Sequence, residues 1–119
     1  MRQLSQERLI RSADSARAIG SGDLLVLASP ALVAMAEKLC LELCRALLTH
    51  EETSVGVQFD LQHLQATKVG ETIHLQASLV RTEGRRYFFE ISATHREKVI
   101  ARAQHQRVAV NRQVFLGKL

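Results

Sequence analysis

Residues 26–44, VLASPALVAMAEKLCLELC, decide the fold. Ser29 directly before Pro30 is the combination expected of a helix N-cap and a first helical position. The apolar run behind it predicts a helix from Ser29 to about Leu48, about 28 Å long. At about 100° per residue, Lys38, Glu42 and Arg45 fall into one stripe, and most of the remaining circumference is apolar. Such a helix must be enclosed by its surroundings, and a curved sheet does this. Glu37 lies outside the polar stripe. Its neighbours three, four and seven places away are Pro30, Val33, Ala34, Cys40, Leu41 and Cys44. A carboxylate in that company is costly unless it is paired, hydrogen-bonded or neutralised, which makes Glu37 the first candidate functional residue.

Outward from the helix the periodicity changes to two. In VGVQFDLQH (55–63), Val55, Val57, Phe59 and Leu61 are expected to share a face with His63, while Gly56, Gln58, Asp60 and Gln62 point away. TIHLQASLVRT (72–82) aligns Ile73, Leu75, Ala77 and Leu79. EGRR then reads as a turn into YFFEISAT, and HREK as a turn into VIARAQHQRVAV. On the other side of the helix, ERLIRSADS (7–15) reads as a strand and RAIGSGDLLVLA as a glycine-punctuated connection. One strand, one helix and four antiparallel strands make an α+β protein, read as one domain over residues 1–119.

Composition narrows the classes of function. The chain is 46% apolar and 24% charged, which excludes a disordered tail and a disulfide framework. Its net charge of +4 comes from dispersed arginines and lysines, and the aromatics form one cluster, Tyr87, Phe88 and Phe89. A nucleic-acid reader interleaves the two, so an anionic small ligand fits better. The longest apolar run is broken by Glu37, Lys38, Glu42 and Arg45, so no membrane span is expected, and with no signal peptide in MRQLSQERLI a cytoplasmic location is expected. Cys40 and Cys44 stack on one helical face, where reduced, packed thiols are expected; no further ligand completes a metal pattern.

Four positions and their flanking blocks resemble the fluoroacetyl-CoA thioesterase-like branch of the hot-dog thioesterases. The blocks are VLASPALVAMAE, TSVGVQFDLQHLQATKVGETI, EGRRYFFEI and AQHQRVAV. A hydroxyl residue just before the central helix, a glutamate eight positions later, a His-X-X-Ala-Thr stretch and a glycine seven residues before its histidine land on Ser29, Glu37, His63 and Gly56. The resemblance implies a hot-dog fold, a five-stranded antiparallel sheet wrapped around one long helix, in a homodimer with active sites at the interface. It implies hydrolysis of an acyl-CoA or related thioester, with CoA as part of the substrate and no separate cofactor or metal. Glu37 would attack the thioester or activate water, His63 would carry or orient protons, Ser29 would be nucleophile or hydrogen-bonding hydroxyl, and Gly56 would let its backbone N–H approach the thioester oxygen. Each has a structural alternative: Ser29 as a cap, Glu37 as a bonded structural carboxylate, His63 as a core histidine, Gly56 as a bulge.

His105 and Arg107 match a His-Glu-Arg stretch of the family with Gln106 in its middle, and are expected to be strand residues near the CoA part of the substrate. Lys68, Arg85, Arg86 and Arg107 are candidates for the CoA phosphates. The segment SARAIGSGDLLVLA holds no aromatic residue where the fluoroacetyl enzyme has an aromatic-bearing lid, so the expected substrate is a short or medium acyl thioester. Two other functions compete: an acyl-CoA binding module without turnover, and a hydratase or dehydratase, whose Asp-X-X-X-X-His stretch is absent.

Overall fold

The computed structural model describes residues 2–119. In chain order it comprises β1 (Arg2–Leu9), a 3-10 turn (Ser12–Asp14), α1 (Ala16–Ile19), α2 (Ser29–Arg45), β2 (Glu52–His63), β3 (Thr72–Glu83), β4 (Arg86–His95), β5 (Lys98–Asn111) and α3 (Arg112–Gly117). The five strands form one antiparallel sheet in the order β1-β3-β4-β5-β2, so β1 and β2 are its edges. α2 buries Ala31, Leu32, Met35, Ala36, Leu39, Cys40, Leu43 and Cys44 against the sheet, in pairs repeating every four residues. The sheet answers with Ile73, Leu75 and Ala77 from β3, Phe89, Ile91 and Ala93 from β4, and Ala101 and Ala103 from β5. Small residues on both sides let the helix lie close to the strands. The expected α+β arrangement of a sheet around one long helix is thus observed.

Several boundaries differ from expectation. The first strand occupies residues 2–9 rather than 7–15. The chain turns at Asp14, whose carboxylate accepts from the Arg11 amide, and Ser15 caps α1 by accepting from the Ala18 amide. α2 ends at Arg45, three residues early, and α3 follows β5, capped by Asn111 accepting from the Val114 amide. Both hairpins among β3, β4 and β5 turn in two residues: Gly84 has φ 59° at the first, and Arg96 and Glu97 have φ 51° and 67° at the second.

The consequential difference is in β2. The pairing of β2 with β5 shifts between Gly56 and Gln58, leaving Val57 as a bulge, 49% exposed. The extra residue inverts the alternation ahead of it. Phe59, Leu61 and His63 remain on the helix-facing side as expected, but Ser54 and Gly56 join them in place of Val55 and Val57. The bulge therefore delivers a small hydroxyl and a glycine to the underside of α2.

Candidate active site

Two polar clusters line the space between α2 and β2. The first joins the start of the helix to the end of the strand: Ser29 Oγ lies 2.8 Å from His63 Nδ1. This contact overturns the expectation that Ser29 caps the helix. The N-cap is Ala28, Ser29 is the first helical residue, and no side chain caps this end. Freed from capping, the hydroxyl is available to an imidazole 34 residues away. The other ring nitrogen, His63 Nε2, is buried without a hydrogen-bond partner. Burial pushes the imidazole below the usual histidine range, with the Gln65 backbone opposing.

The second cluster surrounds Glu37. This carboxylate is half-buried, its side chain 40% exposed, and Oε2 lies 3.6 Å from Arg107 Nη1 and 3.7 Å from His105 Nε2. Arg107 is buried, which a cation tolerates only when its donors are used. Nε donates to Ser54 Oγ at 2.7 Å, Nη2 to the Ser54 carbonyl at 2.9 Å, and Nη1 to His105 Nε2 at 3.0 Å. His105 lies against the Phe59 and Phe89 rings. The question posed by a carboxylate amid apolar neighbours is thus answered by an arginine reaching it from β5.

Glu37 does not touch Ser29 or His63. Eight helical residues separate Glu37 from Ser29, about 12 Å along the axis. On the sheet, His63 pairs with Ala101 while Phe59 pairs with His105, so the two histidines stand about 13 Å apart along the strands. The polar residues therefore fall into a Ser29–His63 half and a Glu37–Gly56–His105–Arg107 half on the same side of the sheet.

The cysteines supply no nucleophile. Burial pushes the Cys40 thiol up to about 12 and raises Cys44 as well, so both stay protonated. Among the candidates for the CoA phosphates, Arg107 is spent on the buried cluster. Arg85 donates to the Ala109 carbonyl and to Glu52, and Arg86 to Gln106.

Comparison with known proteins matches residues 10–113 to the family model described as FlK, fluoroacetyl-CoA-specific thioesterase. The chain belongs to that family. No curated protein matches the sequence. A mutant of FlK in complex with fluoroacetate and CoA is 22% identical, with TM-score 0.90 and coverage of 96% of both chains. A hot-dog-like protein from Thermanaerovibrio acidaminovorans is 17% identical, with TM-score 0.91, covering 98% of this chain and 87% of the other. A hypothetical protein of the thioesterase superfamily from Thermus thermophilus is 18% identical, with TM-score 0.89, covering 98% of this chain and 86% of the other. These likenesses establish the hot-dog fold.

In this FlK-family chain, Gly56 meets a steric requirement rather than a conformational one. A Cβ there would come within 2.5 Å of Glu37 Oε2 and 3.0 Å of His105 Cε1. The carboxylate is the end of a flexible side chain and would yield, leaving its place beside Arg107. Gly56→Ala is therefore expected to lower thiol release from acyl-CoA at least about tenfold while costing at most about 1–2 kcal/mol in thermal unfolding. Undiminished turnover would show that the carboxylate's position is immaterial.

His63 and His105 couple protonation to stability. Burial, reinforced by Arg107, holds His105 below its ordinary 6.5, with the Gln58 backbone bond and Glu37 opposing. His63 is held below the same value. Below pH 6.5 the unfolded chain binds protons that the native chain refuses. The stability contributed by these two groups is thus present above 6.5 and lost as pH falls toward their folded values. The unfolding temperature should fall on acidification through this window, and less steeply in His63→Gln; equal slopes would exclude His63 as a source.

Proposed function

We propose that this chain, acting as one domain over its 119 residues, hydrolyses a short or medium acyl-CoA thioester in a homodimer whose active sites draw on both subunits. The observation that carries this reading is the Ser29–His63 contact of 2.8 Å, which gathers two of the motif positions from opposite ends of the helix–strand pair. Glu37 acts as general base on water, and His63, oriented by Ser29, passes the proton to the departing thiolate. Gly56 leaves room for the carboxylate of Glu37 to lie against the strand beside Arg107. CoA enters as part of the substrate, and the residues named need no separate cofactor.

The dimer follows from the division of the site. β2 is an edge strand of twelve residues with neither proline nor lysine to blunt it, and Val57 is exposed upon it. Antiparallel pairing of two β2 strands extends the sheet and is self-complementary. With the two-fold axis at Asp60 and Val57 bulged in each strand, Gly56 falls opposite the partner's His63, so Glu37 is offered to the Ser29–His63 half of the other subunit.

The acyl preference rests on the segment leading into α2. It presents Ile19, Leu24 and Leu25 to the surface and contains no aromatic residue, which suits aliphatic chains. Among the described residues no helix is long and apolar enough to cross a membrane. We further place the protein in the cytoplasm, where acyl-CoA is met.

Incubation with acetyl-, butyryl-, hexanoyl- and fluoroacetyl-CoA tests the reading by following free thiol. Catalytic release from the aliphatic thioesters is expected, without a marked preference for the fluorinated one. Tight binding with no thiol released would overturn it in favour of a binding module.

A further inference from the structure

The proposed reaction uses Glu37, Ser29 and His63 but leaves a buried imidazole unassigned. His105 is 1% exposed, held between the rings of Phe59 and Phe89 with centroids 4.9 and 6.2 Å away. Its Nδ1 lies 2.7 Å from the Gln58 carbonyl. A carbonyl only accepts, so Nδ1 carries the proton and, in a neutral ring, Nε2 offers its lone pair. Arg107 Nη1 donates to that lone pair at 3.0 Å. Ser54 takes the Nε and Nη2 hydrogens, so the guanidinium is held on three sides. Its second Nη1 hydrogen is left for Glu37 Oε2, 3.6 Å away.

We propose that His105 is a positioning residue, whose neutral imidazole fixes the Arg107 guanidinium against Glu37 and so sets the direction and charge environment of that carboxylate. The inference rests on the reading of Glu37 as the general base. A protonated ring could not serve. Nε2–H and Nη1–H would then be two donors 3.0 Å apart, and Nε2–H would turn to Glu37 Oε2, now 3.7 Å away, tying the base between two cations. The charged groups facing the ring are Glu37 from α2 and Arg107 from β5. β2 presents the Gln58 carbonyl and Phe59, β4 presents Phe89, and the Cys40 thiol of α2, beside Arg107 and Glu37, stays neutral. Protonation of His105 therefore removes activity on the acid side without any change in substrate contacts.

The experiment compares His105→Leu, His105→Gln and Glu37→Gln in the full chain, reading kcat, KM and the pH profile over about pH 5–8 together with thermal unfolding. His105→Leu removes the acceptor and should lower kcat at least about tenfold with KM within about twofold. Glutamine supplies Arg107 with an oxygen acceptor and does not titrate. His105→Gln should recover at least about half of the turnover and lose the His105 inflection on the acid limb. Wild-type kcat in His105→Leu, or an unchanged acid limb in His105→Gln, overturns the inference. If the leucine variant does not fold, the glutamine profile decides. Turnover retained in Glu37→Gln overturns the reading of the base itself; loss there beside wild-type behaviour of both His105 variants overturns only the role of His105.

Discussion

Equal mixing of Glu37→Ala and His63→Ala chains, each inactive alone, is expected to restore about a quarter of wild-type turnover. Random reassociation makes half of the dimers mixed, and in a two-fold dimer each of these holds one site with both lesions and one with neither. The expectation follows from the distances within a protomer. Ser29 and His63 are in hydrogen-bond contact, whereas Glu37 stands about 12 Å along the helix from Ser29 and pairs instead with the Arg107 guanidinium, 3.6 Å away. In the proposed roles, a base that far from its proton carrier could not share a reacting thioester with it. The measurement is thiol release after the two chains are unfolded together and refolded, with each chain treated alone as control. Absence of any recovery, with dimers present by sedimentation, would place the whole site in one subunit.

Glu37→Gln should lower kcat by about a thousandfold, within the range for loss of a positioned general base. The substitution keeps the shape of the side chain and removes only its charge and basicity. Stability should change little, by about 1 kcal/mol, because the carboxylate is 40% exposed and its attraction to Arg107 is screened accordingly. Arg107 keeps its bonds to Ser54 and His105. A large kinetic loss with a small thermal one separates a chemical role from a structural role. A turnover within tenfold of wild type would remove Glu37 from the chemistry.

How far the site could be read in advance varies by residue. Ser29, Glu37, Gly56 and His63 are candidates through their spacing in a family pattern; the structure puts all four on the same side of the sheet, with the bulge at Val57 beside Gly56 rather than at it. The partnership of Glu37 with His105 and Arg107 was missed, although a signal existed. Along β5, Ala101, Ala103, His105, Arg107 and Ala109 share the phase of the core, and all five are buried. Period two alone places the imidazole and guanidinium inward, where they need an anion or acceptors. Ser54 was hidden by the bulge at Val57: strict alternation assigns Val55 and Val57 to the core, and one extra residue reverses that assignment. β1 begins five residues before the strand expected at 7–15, because an edge strand of alternating glutamine, serine and charge lacks the apolar period of a central one. α3 is short, and its cap at Asn111 was the only local cue.

The order of residues alone specified a long, mostly apolar helix followed by strands of period two, because helical and strand periodicities are local consequences of backbone geometry that side chains a few positions apart either satisfy or do not. Contacts between distant segments settled the rest. Whether Ser29 caps its own helix or bonds His63, and whether Glu37 lies idle or faces a buried Arg107, depends on which strand lies beneath which turn of α2. That placement rests on pairing registers and a single bulge, energies summed over residues far apart in the chain and absent from any short window of it.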